Sequence, residues 1–121
     1  MESKVKIYEA IIIGGGVSGL MAGRYVKDAL ILEKSEDIDK SIVRSGEGIS
    51  SLAIERLNII PDVKWISCAI NNIKRISPEG KSCGGIKNNL GYIIDLKEFK
   101  KFLISQCLAE IKLNMNLLVL N

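Results

Sequence analysis

The residues with the clearest chemical content are the glycines of Gly14-x-Gly16-x-x-Gly19 and the acid Glu33, 19 positions after Gly14. Such glycines carry meaning when an apolar strand precedes them and a helix follows, and here residues 8–13 and 17–27 supply both. Gly14 permits the sharp strand-to-helix turn, and Gly16 lets a pyrophosphate approach the backbone. Gly19 lets the helix lie close on the sheet. Amides near Val17 and Ser18 point toward the phosphates, where the helix dipole adds roughly half a positive charge. Glu33 closes the next apolar run and is placed to accept hydrogen bonds from ribose hydroxyls. An acid there favours FAD or NAD over NADP. The plain alternative is a structural turn and an unrelated surface acid. Strand, turn, helix and acid in this order favour a dinucleotide, without choosing between FAD and NAD.

These residues need a scaffold. The isoleucine-rich run 8–13 shows no alternation and reads as a buried strand of a parallel sheet. Leu20 and Met21 face inward on the helix 17–27, a tight turn follows at Asp28, and Ala29–Leu32 forms the next strand. The charged stretch 34–40 is a surface loop. Ser50 or Ser51 caps a short helix with Leu52, Ile54 and Leu57 toward one side, ending near Asn58 before Pro61. Residues 70–76 and 92–94 form two short strands that pair with each other, separated by a turn at 78–80 and a glycine- and asparagine-rich stretch at 83–89. Asp95 and Glu98 form a capping box for the longest helix, 96–112. Its apolar stripe is Phe99, Leu103, Cys107 and Ile111. Lys97, Lys100 and Lys101 share a face that is ordinarily solvated and alternatively touches anionic lipid. A last apolar run, 117–120, is a strand. The expected fold is therefore α/β: a Rossmann-like βαβ unit with a small three-stranded parallel sheet. The strand order is 8–13, Ala29–Leu32, 117–120, and two short strands form a partial second sheet. All of it makes one partial domain, 1–121.

Composition narrows the chemistry. The sequence contains no histidine, which removes Ser-His-Asp and Cys-His catalysis and histidine metal ligands. A net charge of +3 and six aromatic residues argue against nucleic acid as partner. The three cysteines form no Cys-x-x-Cys pair and read as reduced thiols of an intracellular protein. No apolar run approaches the ~20 residues of a membrane span.

A second glycine stretch is Val43-Arg44-Ser45-Gly46-Glu47-Gly48-Ile49-Ser50. Two glycines around an acid let the main chain pass close to a flat ring, and Arg44 offers a rigid fork to phosphate or carboxylate. Alone, such a stretch is an ordinary surface loop. Together with Gly14–Gly19 and Leu32-Glu33-Lys34, it resembles the geranylgeranyl reductase family, flavoproteins related in fold to aromatic hydroxylases. The resemblance continues through Trp65-Ile66, Lys74-Arg75-Ile76-Ser77-Pro78, and Tyr92-Ile93-Ile94-Asp95 with Phe99.

That resemblance implies FAD as cofactor, with contacts at Ser18, Glu33, Ser45, Gly46 and Gly48; with Gly14, Gly16, Gly19 and Arg44, read from the motifs themselves, these make up the expected cofactor-binding residues. It implies reduction of isoprenoid carbon–carbon double bonds, in archaeal membrane lipids or the phytyl chain of chlorophyll. The chain departs from the family at Ser45, where a cysteine is usual, and at Leu96, where an arginine is usual. Its connection between Gly19 and Glu33 is shorter, and a full family member is much longer. The expectation is the amino-terminal FAD-binding portion of such an enzyme. Its partners would be an isoprenoid lipid once the enzyme is complete and a complementing chain, and its place the cytoplasm with peripheral contact to the membrane. The rival expectation is a truncated or split-gene module, binding FAD or NAD, without its own activity.

Overall fold

The structure, a computed structural model, describes residues 4–38 and 47–116. In chain order the elements are β1 (Ala10–Ile13), α1 (Val17–Gly23), β2 (Ala29–Leu32), β3 (Gly48–Ser50), α2 (Ser51–Arg56), β4 (Ile66–Ile76), β5 (Ser82–Ile94), α3 (Leu96–Gln106) and β6 (Glu110–Lys112). They divide into two compact units. One takes the chain up to Val43 and resumes at Lys100; the other is the continuous stretch Arg44–Phe99.

The first unit is built on a parallel sheet in the order β1-β2-β6. Ala10 to Ile13 pair in register with Ala29 to Leu32, and Leu30, Ile31 and Leu32 pair with Glu110, Ile111 and Lys112. β2 is central, which explains its unbroken apolar sequence: Ala29, Leu30 and Ile31 are all buried. β1, read in sequence as buried, is instead an edge of this sheet. Its burial alternates, leaving Ile11 60% and Ile13 58% exposed. Leu20 of α1 and Leu103 of α3 are, like Ile31, fully buried. Each such side chain stabilises the fold by ~1.5–3 kcal/mol.

Both helices of this unit are shorter than their sequence suggests. α1 stops at Gly23 because its carbonyl accepts from the Leu108 and Ala109 amides, at 2.9 and 3.2 Å. α3 stops at Gln106, so residues 107–112 do not continue the helix. Ile111, counted in the helical stripe, lies in β6 opposite Ile31. The open edge of β2 offers backbone hydrogen bonds that one more helical turn could not match. β6 therefore takes the third place in the sheet, after β2. The strand expected there, 117–120, lies outside the described residues.

The second unit carries an antiparallel sheet in the order β3-β5-β4. Its strands are longer than expected: β5 includes the glycine- and asparagine-rich segment, and β4 begins at Ile66. Pairing with β4 supplies what local propensity lacks. Ser50 caps α2 by accepting from the Ala53 amide at 3.1 Å. Asp95 accepts from the Glu98 amide at 3.1 Å at the start of α3. Trp65 and Phe99 pack with ring centroids 5.0 Å apart, and with Ile54, Ile59 and Ile94 they form this unit's core.

Candidate functional site

The site is a corner between β1, α1 and the end of β2. Gly14 sits at φ +100°, a region that a side chain disfavours, and its amide donates to the Leu32 carbonyl at 2.8 Å. That bond fastens the glycine turn to the residue before Glu33. Gly19 makes the close approach that its place in the motif requires. A Cβ there would stand 2.0 Å from the Gly14 carbonyl oxygen. Gly16 differs: it is exposed, and a Cβ there would meet nothing within 4 Å. It is the N-cap of α1, makes no side-chain cap, and no acid occupies the first turn. Ser18 is exposed in that same turn.

Glu33 is buried, 6% exposed, with both carboxylate oxygens engaged. Oε2 accepts from the Gly15 amide at 2.6 Å, and Oε1 accepts from the Ser35 amide at 3.0 Å. Burial pushes the carboxyl up, but hydrogen bonds from Ser35, Gly15 and Lys34 outweigh it and hold the group below its ordinary 4.5. Glu33 is thus ionised at neutral pH. The Glu33 backbone is fixed from the other side. Its amide donates to Lys112 at 2.9 Å, and its carbonyl accepts from Met115 at 2.9 Å.

Gly15 was not singled out in the sequence, although it touches the acid directly. A Cβ at Gly15 would lie 2.9 Å from both Glu33 Oε2 and Ile38 Cδ1. The run of three consecutive glycines was the available signal, since the motif explains only its first and third.

The second glycine stretch is described only in part. Gly48 is exposed on β3 in the second unit, opposite Ile93. Arg44, Ser45 and Gly46 lie outside the described residues. Lys100, expected on a solvated face with Lys97 and Lys101, is instead buried, and its Nζ donates to the Ile38 carbonyl at 3.5 Å. Among the described residues no group of His, Cys, Asp and Glu could hold a metal ion. No helix among them is long and apolar enough to cross a membrane.

No family model matches the sequence. A digeranylgeranylglycerophospholipid reductase of Methanosphaera stadtmanae is 30% identical over 115 residues, covering 88% of this chain and 29% of the relative. The solved structure of a geranylgeranyl bacteriochlorophyll reductase-like protein from Thermoplasma acidophilum superposes with a TM-score of 0.76 at 26% identity. That match covers 88% of this chain and 30% of the other. CtdE, solved in complex with FAD and a substrate, shares the fold with a TM-score of 0.58 at 21% identity, over 91% of this chain and 31% of its own. The chain is thus similar in sequence and in fold to geranylgeranyl-type reductases, and spans about three tenths of the length of the relatives it matches.

Proposed function

We propose that this chain is the FAD-binding portion of a reductase acting on isoprenoid carbon–carbon double bonds of lipids, and that residues 1–121 serve as one cofactor-binding domain. The observation that carries the reading is the coupling of the open Gly16 turn to the buried, ionised Glu33 through the Gly15 amide. The space in front of Gly16 suits a diphosphate, and uncapped amides at the start of α1 face it. The ionised Glu33 just past the end of β2 suits the hydroxyls of an unphosphorylated ribose, and a 2′-phosphate would meet a fixed negative charge. Gly14 and Gly19 shape the turn, Ser18 would meet a bound diphosphate, and Arg44, Ser45, Gly46 and Gly48 would serve the rest of the cofactor. Reduced flavin, when bound, supplies hydride chemistry. The glycine turn and Glu33 would bind and orient the adenosine and diphosphate half.

The relatives' names point to a lipid as the substrate of the whole enzyme, and a complementing polypeptide would supply its site. Calorimetric titration of the purified chain with FAD, NAD and NADP tests the reading. The expected order is FAD first, with a dissociation constant weaker than about 1 μM because only half of the cofactor is gripped. No turnover is expected from the chain alone. Tighter binding of NAD than of FAD would overturn the flavin assignment. Sub-micromolar FAD binding by a monomer would show the domain to be self-sufficient and remove the need for a complement.

A further inference from the structure

The β4–β5 hairpin presents a face that the cofactor reading does not use. Ile73 pairs with Gly85 and Arg75 with Cys83, so residues 73, 75, 83, 85 and 87 project to one side. There Arg75, Lys87, Ile73 and Leu90 surround a shallow concavity of about 340 Å³ floored by Gly84 and Gly85. None of the residues lining it is acidic. Ile73, on this side, is 51% exposed; Ile76 falls on the other side of the hairpin.

The charge is equally lopsided. Residues 66–94 hold four cations, Lys74, Arg75, Lys81 and Lys87, against the single acid Glu79. The sequence has 17 basic and 14 acidic residues, leaving 13 of each outside the hairpin, so its whole net charge of +3 resides on these two strands. The one acid is turned onto the Ser77 hydroxyl within the hairpin turn. On the face of residues 73 and 75, exposed Ile73 beside Arg75 and Lys87 matches a surface that is apolar beneath and anionic above.

We propose that the β4–β5 hairpin docks on the surface of an anionic phospholipid bilayer, with Arg75 and Lys87 at headgroup phosphates and Ile73 in the interfacial layer. The proposal is independent of cofactor binding and can fail without it.

Flotation of the 121-residue chain with phosphatidylcholine vesicles, with and without phosphatidylglycerol, tests it. The chain should float only with the anionic vesicles and should be released by salt. Each cation near such a surface contributes about fivefold to partitioning, so the Arg75→Gln/Lys87→Gln pair should lower it about 30-fold. Ile73→Ser should lower vesicle binding while leaving retention on heparin unchanged, since heparin has no apolar layer. Lys97→Gln/Lys101→Gln, on exposed positions of α3, should change nothing. These positions are all exposed, so far-UV circular dichroism should confirm retained folding in each variant. Failure of the unmodified chain to float would overturn the proposal. So would equal loss from the α3 pair, or an Ile73→Ser variant that binds vesicles as well as the parent.

Discussion

Replacing Glu33 by Gln tests the centre of the site with almost no change in shape. A carboxylate accepts from Gly15 through one oxygen and from Ser35 through the other. The amide can keep only one of these bonds and turns its NH2 group toward the remaining N–H. Charge-assisted bonds contribute ~1.5–3 kcal/mol, and a buried unsatisfied donor costs about 1–3 kcal/mol, so a loss of ~2–3 kcal/mol is expected. The loss should depend on pH. The folded pKa lies below the ordinary 4.5, so the carboxylate's contribution is complete above that value and is lost as pH falls through the folded pKa. The parent and Glu33→Gln should therefore differ most at neutral pH and converge as the pH falls through the folded pKa. Urea unfolding followed by far-UV circular dichroism suits the measurement. Trp65 lies in the second unit and its fluorescence would report the wrong one. A gap independent of pH, or a variant as stable as the parent at neutral pH, would refute the reasoning.

Two glycines should separate folding from binding. Gly19→Ala places a Cβ against the Gly14 carbonyl oxygen and should destabilise the first unit by ~3 kcal/mol or more in the same urea assay. Gly16→Ala has open space around it and should stay within about 1 kcal/mol of the parent, yet it should abolish FAD binding by calorimetry. In the second unit, Ser50→Ala removes the cap of α2 and should cost about 1 kcal/mol, read from Trp65 fluorescence during unfolding. Trp65→Ala removes a buried indole and its packing on Phe99, and should cost ~3–5 kcal/mol by thermal denaturation.

The strand–turn–helix–strand start was legible because glycine, helix formers and isoleucine leave few alternatives at those positions. The parallel three-strand order followed from the same pattern, but the identity of its last strand did not. Phe99, Leu103, Cys107 and Ile111 are spaced as a helix, yet an apolar Ile111 also satisfies a strand beside Ile31. Only the free edge of β2 decides between them. β5 was obscured for a related reason. Its glycines and asparagines favour turns locally, and its strand form depends on β4 and β3 lying beside it. β1 erred the other way. Its unbroken isoleucines are those of a strand covered on both faces, although Ile11 and Ile13 are exposed. Within the site, Glu33 was found by spacing. Gly15 was not, because its role depends on where the carboxylate turns.

The pairing of β2 with β6 also dictates an order of assembly. Ala10 and Ala29 are 19 positions apart, whereas Ile31 and Ile111 are 80 apart. Closing the longer loop costs about 1 kcal/mol more in chain entropy. During synthesis β6 emerges only after every residue of the second unit has left the ribosome, and that unit is continuous in sequence. The Arg44–Phe99 stretch can therefore assemble while the first sheet still consists of two strands. Glu33 draws its backbone anchors from Lys112 and Met115, so the acid reaches its final position among the last events of folding.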